Sequence, residues 1–423
     1  MSTALPCELR LLRGATLADG STVDVELADS MVTTVVPAGS GAAAADDETL
    51  DLDGYLLITA PAEPHAHFDK ALSYDSIHPP QGDLGLAIES WKAYAATMTT
   101  ESIADRAREA ALRLLANGTT AVRCHVDILT SGDPLRGVHA LVQVREELRG
   151  LVDLELVALA GWQAPDADIE AALDAGVDLI GGAPHLSPEP LTDLRRLLAI
   201  AKRRGVGVDL HADESLTGAD TLAEYARIVR GWPVVTSAGH CVRLGMLDGA
   251  ELGEVISEVL ASDIGIISLP ITNLYLQGWE HPVATPRGLT ALRALLDAGV
   301  RVAAGADNIR DPFNPVGRCD ALETASLLVT AGHLDFEEAI TAVTDGARDV
   351  MGLPAAGPVA GRQADLLAIR AANLGEAIAF ASPDRYVIAR GRLVSRTSVN
   401  SATAAPRVLA DAFSSIPSTT SGR

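Results

Sequence analysis

His65 and His67 stand two residues apart in Glu63-Pro64-His65-Ala66-His67-Phe68-Asp69-Lys70, just after the apolar run 54–60. In an extended segment, residues i and i+2 point to the same face. Both imidazoles can therefore aim at one point, and neutral imidazole is a frequent ligand of Zn and Fe. More residues of ligand or proton-transfer type follow later apolar runs: Gln163, His185, His211-Ala212-Asp213-Glu214, Gly239-His240 and Gly305-Ala306-Asp307-Asn308. A lone histidine at a strand end is usually a structural group; the repeated coincidence points to a site. Three neutral histidines and one carboxylate suit a single borderline divalent ion with one position left for water. Such an ion lowers the pKa of that water toward neutrality. Glu214, three residues beyond His211, is placed to move protons without being a ligand. Hydrolytic deamination needs that role, because a ring nitrogen must gain a proton and the amine must leave neutral. The plainer alternative for Glu214 is a carboxylate favoured by the dipole of a following helix.

The elements that would carry these groups alternate regularly. Apolar runs at 56–60, 120–125, 154–159, 178–182, 207–211, 234–240, 265–269 and 300–307 read as strands. Helical patterns lie between them, including 103–116, 191–203, 222–230 and 289–298, several ending in glycine at Gly118, Gly176, Gly205 and Gly299. Eight strands alternating with helices predict a (β/α)8 TIM barrel, whose C-terminal strand ends form the active site. A doubly wound open sheet competes, but gives no reason for polar residues at so many strand ends. The flanks carry short alternating runs, at 21–27 and again at 363–369 and 386–391. The expected organisation is a small β-sandwich from 1–57 plus 355–400, a catalytic barrel over 58–354, and a tail over 401–423 whose last part is polar and disordered.

Composition narrows the class. The hydrophobic fraction is 48% with only 4% aromatic residues, which suits parallel strands of small aliphatics buried on both faces. A formal net charge of -23 argues against a nucleic-acid partner. Cys7, Cys124, Cys241 and Cys319 show no ligand-like spacing and read as free thiols in a reducing compartment. There is no secretory leader pattern, and no uncharged stretch reaches the ~20 residues of a membrane span. A cytoplasmic, soluble homo-oligomer acting on a small molecule is expected, without a nucleic-acid or membrane partner.

The chain resembles the amidohydrolase superfamily, and within it the cytosine deaminase group. The likeness rests on 64–69, Val122-Arg123-Cys124-His125-Val126-Asp127, Gly182-Ala183-Pro184-His185, His211-Ala212-Asp213-Glu214, Leu274-Tyr275-Leu276-Gln277-Gly278 and Asp307-Asn308-Ile309-Arg310-Asp311-Pro312-Phe313. It implies that His65, His67, His211 and Asp307 bind one Zn or Fe ion. By the same likeness, Glu214 shuttles protons, His240 orients the activated water, Gln163 reads an amide-like edge of the substrate and His185 faces it. The fourth predicted strand ends without the lysine that bridges two metals in binuclear relatives, which favours a mononuclear site. Asn308 and Phe313 replace the aspartate and tryptophan expected for cytosine deaminases. Together with the Asp69-Lys70 pair, Asn308 is more like the s-triazine branch, which includes N-isopropylammelide hydrolases. Phe313 would widen the substrate slot.

The expected activity is metal-dependent replacement of an exocyclic amine by a carbonyl on a small nitrogen heterocycle such as cytosine, a related pyrimidine or an s-triazine. A cyclic amide or imide hydrolase using the same site is the alternative, and a catalytically silent heterocycle-binding barrel comes after it. Lys70 reads as an ion-pair or pocket-wall residue. His125 and Asp127 read as structural groups or supports behind the metal ligands, with direct substrate contact the alternative; their exact roles stay open.

Overall fold

The computed structural model describes residues 5–400 and Ala402, so the expectation for the tail at 401–423 lies, that residue aside, outside the described residues. Eight parallel strands form the barrel: β1 (Ala62–Ala66), β2 (Ala121–Ile128), β3 (Asp153–Ala160), β4 (Leu179–Gly182), β5 (Gly207–Ala212), β6 (Thr236–His240), β7 (Gly265–Ser268) and β8 (Val302–Ala304). Each neighbour pair is parallel and in chain order around the sheet. Helices pack outside, and their ends follow local chemistry. The helix Thr100–Ala116 starts at a capping box in which the Thr99 and Ser102 side chains satisfy each other's backbone N–H groups. The helix Pro190–Arg204 begins with proline and stops at Gly205 in the left-handed region (φ 67°). The helix Asp345–Met351 closes the N-terminal end of the barrel, packing Ala347, Val350 and Met351 against Ala62, Ala121 and Ala303.

The (β/α)8 barrel is as expected, but its first strand lies later in the chain than the apolar run at 56–60 predicts. Residues Tyr55–Thr59 do not belong to the barrel: they pair antiparallel with Leu366–Arg370 in the second sheet. The first barrel strand is the next extended segment, Ala62–Ala66. Both segments are short and buried throughout, so periodicity cannot tell them apart.

The second sheet has nine strands drawn from both chain ends. Its two halves are joined by a single parallel pair, Thr16 opposite Leu56. Leu12, Val25 and Val32 from one half meet Leu57, Leu366 and Ile388 from the other in one apolar cluster. The expected sandwich is thus one hydrogen-bonded path whose halves share a core.

The barrel closes where β8 returns to β1. The contact is an isolated bridge between Ala66 and Asp307, with the His67 N–H donating to the Asp307 carbonyl at 3.2 Å. The buried Glu63 carboxylate fastens the same seam, accepting from Ala306 N at 2.9 Å and His65 N at 3.3 Å. Burial pushes its pKa up to about 8 against those stabilising bonds. A Cβ on residue 305 would lie 2.0 Å from Glu63 Oε1, so only glycine lets the carboxylate reach across. Gly305→Ala should therefore expel Glu63 and destabilise the metal-free protein by about 1–3 kcal/mol, the cost of stranding buried backbone donors. Gly249→Ala, at a helix start with nothing within 4 Å of the added carbon, is the control. Chemical denaturation of both variants measures the difference; equal midpoints would rule out the seam role.

Candidate active site

Three imidazoles converge inside the C-terminal end of the barrel. His65 and His67 come from the end of β1, and His211 from β5. His211 Nε2 lies 3.2 Å from His65 Nε2 and 3.1 Å from His67 Nε2. Asp307 Oδ1 approaches His67 Nε2 at 3.1 Å and His65 Nε2 at 3.8 Å. His240, ending β6, brings its Nε2 to 3.8 Å from Asp307 Oδ2. All five residues are buried. Room for them comes partly from Gly239, opposite His211 in the β5–β6 register, where a Cβ would sit 2.8 Å from the His65 ring.

The backbone is bent to aim these groups. His240 and Asp307 both adopt left-handed conformations, at φ 68° and 66°. For residues other than glycine this costs about 1–3 kcal/mol and persists only where surrounding structure enforces it. Asp213, also left-handed at φ 47°, turns away from the cluster. It accepts from Thr221 N, Thr221 Oγ1 and Leu222 N, starting the helix Leu222–Val229 and pinning the loop that presents Glu214.

Electrostatics leave the cluster short of positive charge. Burial, reinforced by the neighbouring cations and imidazoles, holds His65, His67 and His211 well below the usual imidazole range, so all three are neutral. Burial, then Glu214 and other carboxylates, pushes Asp307 well above its usual value. Neither Asp307 oxygen has a hydrogen-bond partner. Three Nε2 lone pairs and an unmatched buried carboxylate, spaced at 3.1–3.8 Å, fit ligands around one divalent ion. Zn–N bonds of ~2.0–2.1 Å give tetrahedral ligand separations of ~3.3 Å. A deeper triad, His65 with His125 and Asp209, is less suited to an ion. Asp209 is already paired with the buried Arg123 guanidinium at 3.2 Å.

Glu214 and His185 border the cluster. Burial alone lifts Glu214 to about 8. Its carboxylate lies 3.6 Å from His240 Nδ1 and 3.8 Å from His185 Nε2. His185 donates from Nδ1 to the His211 carbonyl at 3.1 Å, leaving Nε2 as a buried acceptor without a partner. Burial lowers its pKa to about 4, so the ring is neutral.

The other expected substrate contacts are arranged differently. Asn308 is buried beside Asp307, but its Nδ2 donates to Asp311 Oδ2 at 2.7 Å. Phe313 is buried in the main core, with its N–H held by Asp311 Oδ1. Gln163 follows β3 on an exposed turn at the same end of the barrel. Lys70 pairs with Asp127 at 2.7 Å and approaches His67 Nδ1 at 3.3 Å. Burial works to lower the lysine's pKa; Asp127 and Asp69 outweigh it and keep the ammonium charged. Trp91 donates to the other Asp127 oxygen at 2.6 Å. His125 is wholly buried, its ring centroid 4.0 Å from that of His65.

Two residues at the site escaped the sequence reasoning, Asn273 and Gln277. Asn273 Nδ2 reaches His240 Nδ1 at 3.0 Å, and Gln277 Nε2 donates to the Glu214 carbonyl at 2.6 Å. Gln277 lies in a family-like motif, but nothing in its spacing named a partner 63 residues away. A cavity of about 540 Å3 opens at the opposite end of the barrel, lined by Arg145, Arg149, Arg390 and acidic residues. Those arginines pair with Asp178, Glu146 and Asp153, so their charge is already matched.

Comparison with known proteins agrees with this geometry. Residues 94–395 match the amidohydrolase family. A pterin deaminase of Rhizobium rhizogenes is 30% identical over 390 residues, covering 88% of each chain. A 5-methylcytosine deaminase from Klebsiella pneumoniae liganded with 5-fluorocytosine superposes with a TM-score of 0.83 at 28% identity, over 93% of this chain and 99% of that one. An N-isopropylammelide isopropylaminohydrolase from Burkholderia multivorans gives a TM-score of 0.77 at 27% identity, over 91% and 98% of the two chains.

Removing a central donor should empty the cluster of metal. His211→Ala is expected to weaken binding of one Zn ion by well over ~100-fold, beyond what loss of an outer partner costs. Equilibrium dialysis with metal analysis measures it, against His333→Ala, whose ring bonds Arg287 at the surface. Stoichiometric zinc retained by His211→Ala would rule out this donor set.

Proposed function

The chain belongs to the amidohydrolase family, and from that membership we propose that it is a hydrolytic deaminase of small nitrogen heterocycles, replacing an exocyclic amine by a carbonyl. The observation that carries this proposal is Glu214: a buried carboxyl lifted to about 8, lying between His240 and His185 at the edge of a three-histidine, one-aspartate cluster. A carboxyl that titrates near neutral pH can both take and return a proton.

In the proposed site, His65, His67, His211 and Asp307 hold one Zn or Fe ion. When bound, that ion supplies Lewis-acid activation of water near neutral pH. Glu214 takes a proton from the attacking water and delivers it to the ring nitrogen of the cyclic amidine. The carbon–oxygen bond forms as the ring C=N bond opens to a single bond. Glu214 then moves the remaining hydroxyl proton to the exocyclic nitrogen, the oxygen forms the carbonyl as the C–N bond breaks, and ammonia or a small amine leaves. His240 fixes the direction of the water's approach through its Nε2, which faces Asp307. His185 Nε2, a neutral acceptor with no partner of its own, receives an N–H of the substrate. Gln163, Asn308 and Phe313 complete the substrate contacts, with Gln163 swinging in from its exposed turn.

Three heterocycle classes deserve comparison: pterins, amino-pyrimidines and amino-s-triazines. Each corresponds to a relative of this chain: a pterin deaminase, a 5-methylcytosine deaminase and an N-isopropylammelide isopropylaminohydrolase. Asn308 and Phe313 favour a pterin or triazine over cytosine, because the neutral amide and smaller ring leave a wider, uncharged slot.

The test is ammonia release from a panel of these amines by zinc- or iron-loaded protein. Turnover with ammonia or amine as product is expected; substrate consumed by ring opening, without either product, would instead identify a cyclic amide hydrolase. Glu214→Gln should lower kcat ~10^2- to 10^4-fold, the usual worth of a positioned acid–base group, while retaining metal. Full turnover by that variant would remove Glu214 from the mechanism.

A further inference from the structure

The short helix Pro270–Leu276 follows β7 and begins with proline, which fixes its first turn. Asn273 lies within it and Gln277 is its C-terminal cap residue, four positions later, so both project from the same side. Asn273 is buried and meets His240, while Gln277 holds the backbone of Glu214. One helix thus touches both groups that would handle protons, although they come from different strands.

We propose that Asn273 is a positioning residue that sets the tautomer of His240, so that its Nε2 carries the hydrogen facing the reaction centre. The proposal rests on the deaminase assignment only for its effect on rate. Its geometric basis stands apart. His240 Nε2 has no hydrogen-bond partner, and the nearest carboxylate oxygen, Asp307 Oδ2, lies 3.8 Å away. Nδ1 also has a carboxylate nearby, Glu214 Oε1 at 3.6 Å, so the flanking carboxylates do not decide the tautomer. The amide Nδ2 of Asn273 lies nearer, can only donate, and leaves Nδ1 as the acceptor. Asn273 then presents its amide N–H to Nδ1, at 3.0 Å, rather than its oxygen. The left-handed backbone at His240 and Cys241 (φ 68° and 47°) swings the ring off the strand direction. The Asn273 bond holds that ring at its far nitrogen.

An asparagine is suited to this task and an aspartate is not. A carboxylate at 273 can only accept, so it would draw the imidazole hydrogen to Nδ1 and turn a lone pair toward the centre. A water positioned by a donor in the wild-type protein would then meet an acceptor.

Nitrogen-15 NMR of zinc-loaded protein labelled at histidine reads the tautomer directly, with the His240 signal identified by its loss in His240→Asn. The wild type should show hydrogen on Nε2. Asn273→Asp should move it to Nδ1, and Asn273→Ala should leave a mixture of the two. Zinc content and melting temperature should stay near wild-type values in both variants. With a substrate that the wild type turns over, kcat should fall ~10- to 100-fold, the usual cost of losing an outer partner, with KM little changed. A wild-type His240 with hydrogen on Nδ1, or an unchanged tautomer in Asn273→Asp, overturns the proposal. Absence of turnover by the wild type on the whole panel would instead defeat the deaminase assignment, and the NMR result would still decide the role of Asn273.

Discussion

Five ionisable groups packed out of contact with water at one point govern this structure. His65, His67, His211, His240 and Asp307 are all buried, and both Asp307 oxygens lack a hydrogen-bond partner. An isolated buried carboxylate is strongly unfavourable, and imidazoles with facing lone pairs repel. A divalent ion resolves both costs at once. Much of the nearby architecture serves to hold the donors in place. Glu63 clips β8 to β1 beside Asp307 and His65, and Gly239 clears space for the His65 ring. His240 and Asp307 keep their left-handed backbone within this buried layer, where the surrounding packing offsets the cost.

Beneath this layer the barrel interior remains polar. Arg123 is completely buried and bonds Glu155, Asp209, Ser237 Oγ and the Met351 carbonyl. A buried ion pair gains little net stability unless its remaining hydrogens are satisfied. Here each guanidinium nitrogen has a partner, and one of them belongs to the helix that closes the barrel floor. Asp209 also faces the undersides of His65 and His125, at 4.0 and 3.7 Å. The Arg123 charge is thus balanced locally by Glu155 and Asp209, whereas neither oxygen of Asp307 in the layer above has a hydrogen-bond partner.

Most of the barrel was legible from sequence because each strand is a compact apolar run between helices with marked ends. His65 and His67 were legible as a pair since extended geometry fixes their common face. His211, Glu214, His240 and Asp307 followed from recurrence at strand ends. The misplacement of residues Tyr55–Thr59 has a physical cause: a strand buried in the small sheet and a strand buried in the barrel have the same apolar signature. Asn273 was invisible for a different reason. Its contact with His240 joins residues 33 apart through the packing of a helix against a strand end, and no local pattern encodes that distance. Lys70 was legible as an ion-pair residue, but not its partner, because Asp127 belongs to β2 and the pairing exists only in the folded barrel.

In the proposed reaction, the loop after β8 is the part of the site that bears on substrate choice. Asn308 takes the place of a carboxylate expected for cytosine deaminases, and the substitution removes a charge and adds a hydrogen-bond donor. Its Nδ2 is committed to Asp311, whose other oxygen accepts from Phe313 N and Asn314 N. That anchoring fixes which way the amide faces, so its carbonyl oxygen is the free acceptor. Burial lifts Asp311 to about 6, with the Asn308 bond acting against the rise, and the carboxylate remains the group that organises the loop. In the proposed reaction a substrate would therefore meet two neutral acceptors, His185 Nε2 and Asn308 Oδ1. Neither can stabilise a cationic ring as a carboxylate would. Such a slot favours a neutral heterocycle rich in N–H donors, and in that case protonation of the ring during reaction falls to Glu214 alone.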